Sequence, residues 1–341
     1  MIIGLIIILL LVLTLPFFSK KVEQNLELFL FIMGLAATIV SGVLNLHLAK
    51  EIIGNSLLYL ITGAVLVFGI LFKLFKSRVK RVISAMLRFI PMKVFVFILI
   101  VFLGLSSSVA TAIIASLLLV EVINDLPLKR SDKINLDIIA CFSIGLGAVL
   151  TPIGEPLSTI VISRLDLDFW YLMREVGIYI FPGVAAMGLL GSLMVKNSLT
   201  VSDGQIIDQG EGETYAEVII RAVKVFVFVM ALELLGAGFK PVIDTYIVQL
   251  DSRILYWINM ISSVLDNATL AAAEVSPQMT NTQIQAVLMG LLISGGMLIP
   301  GNIPNIISAG KLKITSKEWA RLGVPLGLAV MGIYYIWLFV I

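Results

Sequence analysis

The sequence predicts an all-α polytopic membrane protein, and three observations support this prediction. Of the 341 residues, 59% are hydrophobic and 13% are charged, with a mean hydropathy of +1.07. A soluble domain carries charge on about a quarter of its residues. Several apolar runs approach or exceed the roughly 20 residues that a helix needs to cross a bilayer. Runs such as Ile2 to Leu13 do not alternate apolar and polar residues, which excludes a transmembrane β-barrel.

Composition excludes further kinds of partner and site. The net charge is +2 and the basic residues fall at segment ends, so we expect no nucleic-acid partner. Cys141 is the only cysteine, which rules out an intrachain disulfide and a cysteine-rich metal site. His47, the only histidine, is interpreted as interfacial, with a pH sensor as the alternative. The first apolar run, Ile2 to Phe18, precedes Lys20 and Lys21, so we interpret it as a span and not as a cleaved signal.

Spans and loops alternate in the N-terminal part of the chain. Residues 1–27 hold the first span and its loop, and two further spans are predicted over Leu28 to Leu48 and Ile52 to Phe75. Lys73 to Arg88 is rich in basic residues, which indicates a cytoplasmic loop. Together with the basic residues near Lys129, this loop fixes the predicted topology.

Two interruptions are predicted in the first half of the chain. Residues 92–123 lie between the two basic loops, so we expect a re-entrant hairpin that breaks at Ser106 to Ser108 and keeps both loops inside. Residues 135–163 then cross outward and are interrupted at Thr151 to Pro156, where two prolines and a glycine oppose a continuous helix. Irregular backbone at membrane depth is tolerated only where it is buried in protein or lines a wet cavity.

The second half is predicted to follow the same plan. Its segments are a crossing at 169–195, a polar linker at 196–217, a crossing at 218–238, a hairpin at 253–276 with its tip at 262–267, a helix at 283–307 broken at 300–305, and a C-terminal span within 315–341. Both termini are expected outside the cell membrane. The two halves are bounded at 28–168 and 169–314.

Two short alignments link these halves. Ser108 to Thr111 matches Asp266 to Thr269 at an offset of 158 residues, and Pro152 to Pro156 matches Pro300 to Pro304 at an offset of 148. The predicted topology places the first hairpin inside and the second outside, so we expect two inverted repeats, each with a re-entrant hairpin and a discontinuous transmembrane helix. Such repeats indicate a secondary transporter whose site lies where the repeats meet.

The candidate site consists of polar residues at the four breaks. Asp266 lies within an apolar region, where an ionised carboxylate is unfavourable by roughly 2.5–3.5 kcal/mol, so a functional role is expected. Glu155 occupies a break in the other half, and a proton and a cation can compete for such carboxylates. Hydroxyl, amide and carbonyl oxygens suit Na⁺ or Li⁺. The predicted cation and proton ligands are Glu155, Asp266, Asn267, Ser107, Ser108, Thr111, Thr151, Ser158, Thr159, Thr269, Asn302 and Asn305.

Structural alternatives stay open at several of these positions. Glu155 also fits a packing role beside a basic residue, and Asp266 fits a cap on the second helix of its hairpin. Serine and threonine are common where membrane helices touch. Three further acids in apolar surroundings, Glu121, Glu233 and Glu274, are interpreted as solvated rims or gates near segment ends.

On these residues the chain resembles the ion transporter superfamily and is most similar to its NhaD-type sodium/proton antiporters. The resemblance covers both halves from about Leu28, and its motifs are Leu150 to Glu155 with Ser158 and Thr159, and Ser262 to Asn267. Two features depart from the antiporters: Glu155 stands where they carry aspartate, and serines stand at the first hairpin tip where they usually carry asparagine.

The resemblance implies a homodimer in which a transport domain moves like an elevator against a scaffold. It also implies ion coordination by Ser107, Ser108, Thr151, Glu155, Asp266, Asn267 and Asn305. We therefore predict a secondary transporter, not an enzyme, that exchanges Na⁺ or Li⁺ for H⁺ without a cofactor. Dicarboxylate and arsenite relatives share the architecture, so the alternative is a sodium-coupled or uncoupled carrier of a dicarboxylate or oxyanion. A hydrolase is disfavoured because the chain has a single histidine.

Overall fold

The computed structural model describes residues 1–19, 21–22, 25–55, 58–59, 62–63, 66–67, 69–71, 74, 89–195, 214–263 and 267–341. Within these residues it contains helices and no β-strand, which confirms the all-α prediction. Three of the described helices are long and apolar enough to cross a membrane, namely Met92–Ala110, Tyr171–Met194 and Ser316–Phe339. The chain is therefore an all-α membrane protein.

The helices follow one another along the chain with several abrupt ends. They are α1 Ile2–Phe18, α2 Leu26–Ser41, α3 Leu46–Gly54, α4 Met92–Ala110, α5 Ala112–Asp125, α6 Arg130–Ala148, α7 Pro156–Leu165, α8 Tyr171–Met194, α9 Tyr215–Val242, α10 Ser252–Ile258, α11 Asn267–Glu274, α12 Asn281–Gly295, α13 Ile303–Leu312 and α14 Ser316–Phe339. A π-helical turn (Ile243–Ile247) continues α9, and 3₁₀ turns follow α10 (Asn259–Ser263) and precede α13 (Ile299–Gly301).

The N-terminal helices agree with the prediction in part. Helix α1 has the predicted bounds. The predicted span Leu28 to Leu48 is wrong at its end, because α2 stops at Gly42, whose φ of 76° caps the helix in the left-handed region. Asn45 then starts α3 by accepting a hydrogen bond from the Leu48 amide at 2.8 Å. The predicted basic loop at 73–88, apart from Leu74, lies outside the described residues, and the predicted third span at 52–75 is described in part.

The first predicted hairpin turn is displaced in the structure. Helix α4 continues through Ser106 to Ser108, because the Ser107 and Ser108 hydroxyls donate to carbonyls three residues earlier, at 2.6 and 2.7 Å, and so leave the helix intact. The chain turns instead at Thr111, a non-glycine residue with φ of 75°. Its side chain starts α5 by accepting from the Ile114 amide at 3.4 Å.

Two helices are interrupted near their predicted breaks. Helix α6 ends at Ala148, and α7 begins at Pro156, where a proline without an N–H suits the first helical position. The second break is centred a few residues earlier than the predicted 300–305. There, Asn302 precedes α13 and Asn305 lies inside that helix, because Pro304 is tolerated in the first turn.

Packing places both breaks in the protein interior. Helices α6 and α12 are buried on nearly all sides, and α4 and α8 pack against α6. Helix α5 packs against α13, and α7 packs against α11, so elements from the two halves of the chain interlock. Helix α9 packs along α2, beside this central group.

Two predicted segments of the second half, the polar linker and the C-terminal span, agree with the structure in part. Residues 196–213 of the predicted polar linker lie outside the described residues, and α9 already begins at Tyr215. The last helix begins at Ser316, ahead of the expected apolar run, because Thr315 and Glu318 form a reciprocal capping box.

Candidate functional site

The turn between α4 and α5 is bonded to the break between α6 and α7. The Thr151 hydroxyl donates to the Ser108 carbonyl, and the Ala112 amide donates to the Gly154 carbonyl at 2.8 Å. The Ser107 hydroxyl lies 3.0 Å from the Ile144 carbonyl of α6. These contacts bring most of the first-half candidate residues into one buried region.

Glycines allow this close approach. A Cβ atom added at Gly147 would overlap the Gly104 carbonyl of α4, and one added at Gly154 would overlap the Ala148 carbonyl at the end of α6. The backbones of α4 and α6 therefore touch directly where the break begins, and only a residue without a side chain fits there.

Glu155 occupies the N-cap position of α7. It is 4% exposed, and its side chain accepts no capping hydrogen bond from the first turn of that helix. The two predicted ligands that follow it act within the break: Thr159 donates to the Pro152 carbonyl at 2.8 Å, and Ser158 donates to the Ala148 carbonyl at 3.4 Å. A hydroxyl oxygen that donates its hydrogen keeps lone pairs for a cation, so both functions are compatible.

The second break contains two buried asparagines. Asn302 is the N-cap residue of α13, yet it makes no capping hydrogen bond, and its Oδ1 atom has no hydrogen-bond partner among the described residues. Asn305 donates from Nδ2 to the Gly295 carbonyl at 2.8 Å and to the Leu298 carbonyl at 2.9 Å. These two bonds fix the amide orientation, and they leave its buried Oδ1 as an unused acceptor.

The second predicted hairpin is described in part. Asp266 lies outside the described residues, and Thr269 lies in α11 with its side chain outside them. Asn267 is the first residue of α11 and is buried, and its Nδ2 atom has no hydrogen-bond partner in the part of the chain that the structure describes. Ser262 is also buried, and its hydroxyl lies 3.4 Å from the Leu291 carbonyl of α12.

The two breaks share their backbone geometry. Helices α7 and α13 each have ten residues, and both end at a non-glycine residue in the left-handed region, Asp166 and Lys313. Helices α6 and α12 end at Ala148 and Gly295. All of these pairs are separated by 147 residues.

Side-chain contacts follow the same spacing. Ser158 bonds to the Ala148 carbonyl as Asn305 bonds to the Gly295 carbonyl. The contact between Ser107 and the Ile144 carbonyl has its counterpart between Ser262 and the Leu291 carbonyl, with offsets of 155 and 147 residues. The offset of 147 replaces the 148 used in the sequence alignment, and it pairs Glu155 with Asn302.

The two breaks also approach each other. A Cβ atom placed on Gly145 of α6 would lie 2.6 Å from Asn302 Nδ2, so the amide of the second break packs directly against the helix that leads to the first. Together with the α5–α13 and α7–α11 packing, this contact encloses polar groups from both halves within one interior region.

Sequence reasoning missed a buried acid and misjudged another. Asp137 of α6 is 0% exposed and accepts a hydrogen bond from Ser308 of α13 at 2.9 Å. It lies near the start of the predicted crossing at 135–163, close to the charged residues Asp132 and Lys133, so the sequence did not single it out. Glu274 is buried beside Asn259, so its interpretation as a solvated rim is wrong. Glu233 is half-buried and accepts from Ser163 at 2.7 Å.

His47 and the acidic side chains do not form a metal site in the part of the chain that the structure describes. His47 is exposed and lies 3.7 Å from Glu51, in agreement with an interfacial position. Among the described residues, no three acidic, histidine or cysteine side chains come close enough together to hold a metal ion. A cation at the breaks would therefore be held chiefly by amide, hydroxyl and carbonyl oxygens, with Glu155 as the described carboxylate.

Comparison with known proteins assigns a family without a function. One family model matches residues 2–341, and it is described as a protein of unknown function, DUF1646. No curated protein matches the chain.

Proposed function

We propose that this chain, which belongs to the family of proteins of unknown function DUF1646, is a secondary active transporter that exchanges Na⁺ or Li⁺ for H⁺ across the cell membrane. One observation carries this proposal: two helix breaks with matching contacts present buried side chains, Glu155 and Asn302, at equivalent N-cap positions where neither caps its helix. Buried polar residues at broken helices are typical of the ion and substrate sites of secondary transporters.

The matching contacts support an internal repeat. Chance alone does not explain equal offsets at the helix ends, at the left-handed caps and at the contacts of Ser158 and Asn305. In the proposed architecture the repeats are inverted, α4 with α5 and α10 with α11 are re-entrant hairpins, and both termini lie outside. Crossed packing of α5 on α13 and of α7 on α11 agrees with a site shared between the repeats.

The chemistry of the second break favours a cation. Asn305 uses both of its N–H groups to bind the Gly295 and Leu298 carbonyls, so only its carbonyl oxygen remains. A buried acceptor without a donor is unfavourable, and a Na⁺ or Li⁺ ion satisfies it together with the oxygens of Asn302 and Glu155. Asp266 completes this proposed site from the second hairpin, and protons compete with the cation for the two carboxylates.

In the proposed transport cycle, the helices that contain the breaks move against a scaffold. Helices α1, α2 and α9 pack together beside the interlocked helices that contain the breaks. We assign the first group to the scaffold and to the dimer contact, and the second to a transport domain that moves like an elevator. The protein then acts as a carrier and not as an enzyme.

One observation favours an anion as the alternative substrate. Helices α5, α7, α11 and α13 all begin at the turns and breaks, and the partial positive charge at a helix N-terminus attracts anions. An unpartnered Nδ2 on Asn267 adds a donor. In this alternative the chain carries a dicarboxylate or oxyanion, with or without Na⁺, and Glu155 serves the packing.

Proteoliposomes with an internal pH dye separate these functions. NaCl, LiCl, KCl or sodium succinate is added outside, and the internal pH is followed. We expect Na⁺ and Li⁺ to drive a pH change that KCl does not, and succinate to add nothing to the effect of sodium. Uptake of labelled succinate without a cation-driven pH change would instead establish the anion carrier.

Substitutions of the two proposed carboxylates test whether the cation-driven pH change depends on them. Glu155→Gln and Asp266→Asn should each lower the initial rate by about a hundredfold or more, because each removes a proton-binding group. Glu51→Gln and Asp251→Asn make the same chemical changes at exposed acids and should leave the rate unchanged. Full activity in Glu155→Gln would contradict antiport through that carboxylate.

A further inference from the structure

Helices α6 and α13 form a polar seam that leads away from the breaks. At one end, Asn302 packs against Gly145, and further along, Ser308 bonds to Asp137, so that the two helices run antiparallel. Residues three or four apart lie on one face of a helix. The facing residues are Asp137, Cys141 and Gly145 on α6 and Asn302, Asn305 and Ser308 on α13.

The far end of the seam reaches the protein surface. Arg130, at the start of α6, donates to the Leu312 and Lys313 carbonyls at 3.4 and 3.0 Å and closes the end of α13. Its side chain is 55% exposed and also lies 3.5 Å from Glu318. Basic residues at this end place it on the cytoplasmic side in the predicted topology.

Asp137 lies between the breaks and this surface in an unusual setting. Its side chain is fully buried, Ser308 donates to its Oδ1 at 2.9 Å, and its Oδ2 has no hydrogen-bond partner among the described residues. An ionised carboxylate with one hydrogen bond and no cationic partner is strongly unfavourable inside a protein. The group therefore needs either a proton or a cation.

The surroundings favour a proton. A hard cation requires a shell of several oxygen ligands, and Ser308 is the one hydrogen-bond partner of Asp137 among the described residues. A protonated carboxyl group fits better, with the proton on Oδ2 and the Ser308 hydrogen bond on Oδ1. Of the described groups, Ser308 on α13 acts on this carboxyl, and the carboxyl in turn acts on Cys141, one turn along α6. Lys133 is held by the Asn124 carbonyl at 2.8 Å.

We infer that Asp137 is a proton-carrying site between the helix breaks and the surface end of the α6–α13 seam, and that Ser308 positions its carboxyl group. In each cycle the carboxyl group releases its proton to water entering past Arg130 and takes one up again, and no other bond changes. This inference rests on the proposed function, because the proton that moves is the one exchanged for the cation.

Infrared difference spectra of the protein in liposomes test the protonation directly. We expect a carboxylic-acid C=O band in the wild type that disappears in Asp137→Asn and shifts in Ser308→Ala, since the latter loses the hydrogen bond to Oδ1. Ser116→Ala is the matched control, because Ser116 is equally buried but bonds within α5 to the Ala112 carbonyl at 2.6 Å. A spectrum that is the same in wild type and Asp137→Asn would overturn the inference.

Transport rates test the carrying role. Asp137→Asn should slow Na⁺-driven proton movement at least about tenfold, as expected for loss of a positioned proton-transfer group. The half-saturating Na⁺ concentration should stay within about twofold, because the site at the breaks is intact. Asp137→Glu should recover part of the rate, and Asp132→Asn, on the same helix, should have no effect.

The outcomes separate the two proposals. If wild-type liposomes show no response to Na⁺ or Li⁺, the proposed function fails, and the infrared band still decides whether Asp137 holds a proton. If the wild type exchanges cations and Asp137→Asn does so at the same rate across the pH range, the carrying role fails alone. A raised half-saturating Na⁺ concentration at an unchanged rate would assign Asp137 to cation binding and also overturn it.

Discussion

At the start of α7 the chain places a carboxylate and a hydroxyl, Glu155 and Ser158, where at the start of α13 it places two amides, Asn302 and Asn305. The backbones around these residues match, with equal helix lengths and the same left-handed caps. The comparison separates two properties: the repeated backbone fixes where polar groups lie, and a few side chains decide what they bind.

The breaks also differ in what holds them. Asn305 bonds twice to carbonyls of its own break, at 2.8 and 2.9 Å, so the second break is closed by its own side chain. The first break has the long Ser158 contact at that position and the Thr159 bond to the Pro152 carbonyl at 2.8 Å. Unlike the second break, it is also bonded to the turn after α4, through Thr151 and Ala112. Movement of the first hairpin would therefore reach the first break directly.

The largest loss of stability is expected from a substitution where the α4–α6 contact differs from the α10–α12 contact. Gly147 touches the Gly104 carbonyl, whereas Ser294, the residue 147 positions later, bonds to the Asn259 carbonyl at 2.7 Å. Gly147→Ser should destabilise the protein by about 3 kcal/mol, because the side chain overlaps backbone that cannot move away. Heating of the detergent-solubilised protein, followed by size-exclusion chromatography, measures this loss.

A matched glycine controls for the substitution itself. Gly310 has no atom within 4 Å of a built Cβ, so Gly310→Ser should leave the thermal midpoint nearly unchanged. Equal midpoints for Gly147→Ser and Gly310→Ser would contradict the direct contact of the α4 and α6 backbones.

A smaller effect is expected from the side chains that close the breaks. Asn305→Ala should destabilise the protein by about 2 kcal/mol, because it removes two hydrogen bonds: the Gly295 carbonyl loses its side-chain donor, and the Leu298 carbonyl keeps only the Gly301 amide at 3.3 Å. Ser158→Ala removes one long hydrogen bond, and we expect a loss below about 1 kcal/mol. Thermal midpoints of the two variants measure the difference. The reverse order would show that the second break is not closed by its own side chain.

The sequence predicted the fold best where residues such as proline and glycine restrict the local backbone conformation. Two prolines and a glycine located the first break, because they remove N–H donors and favour irregular backbone. The serines at 106–108 led to a wrong prediction of the turn. A serine hydroxyl can bond to a carbonyl of its own helix as readily as it can interrupt the helix, and packing around α4 decides between the two. The turn at Thr111 has no marker in the sequence.

For the candidate site, the sequence predicted which side chains are buried but not which hydrogen bonds they make. Side chains of Thr151, Glu155, Ser158 and Thr159 are buried at the first break, as expected from their positions close to Pro152 and Pro156. Their use of hydrogen bonds was not predictable, because the carbonyls that accept from Ser158 and Thr159 belong to residues ten and seven positions away. Asp137 was overlooked because no proline or glycine lies beside it and because it follows the polar stretch that includes Asp132, Lys133 and Asn135.

A third difference concerns attachment to α9. Ser163, near the end of α7, donates to Glu233 at 2.7 Å, and Asn55 donates to the same carboxylate at 3.3 Å. The residue 147 positions later is Gly310, which faces open space. Ser163→Ala removes two part-buried hydrogen bonds, the one to Glu233 and the one that Ser163 accepts from Asn55 at 2.8 Å. It should destabilise the protein by about 1 kcal/mol, because Asn55 still donates to the acid.

The transport assay extends this test. If α7 moves against α9, the Ser163–Glu233 bond exists in one state only, and Ser163→Ala should change the initial rate in proteoliposomes as well as the thermal midpoint. A changed midpoint with an unchanged rate at every Na⁺ concentration would show that α7 and α9 stay together throughout the cycle.

The smallest effect is expected in the loops that lead out of the two short helices. The loop after α7 contains Asp168, which bonds to Arg174 and accepts from the Trp170 amide at 3.0 Å, whereas the loop after α13 uses the uncharged Thr315 as its cap. The hydrogen bond from Arg174 lowers the pKa of Asp168. Because the folded-state pKa is depressed, the stabilisation is present above the unfolded value of about 3.9 and is lost as the pH falls through the folded value.

Asp168→Asn should therefore lower the thermal midpoint slightly at neutral pH, and the difference from wild type should vanish in acid. Both groups are exposed, so solvent screening keeps the effect small. Arg174→Gln should produce the same small loss, and combining the two substitutions should add little, since either one alone breaks the pair. The amide oxygen of asparagine can still accept from the Trp170 amide. A difference between Asp168→Asn and wild type that persists unchanged in acid would therefore assign the effect to packing and not to the charge of Asp168.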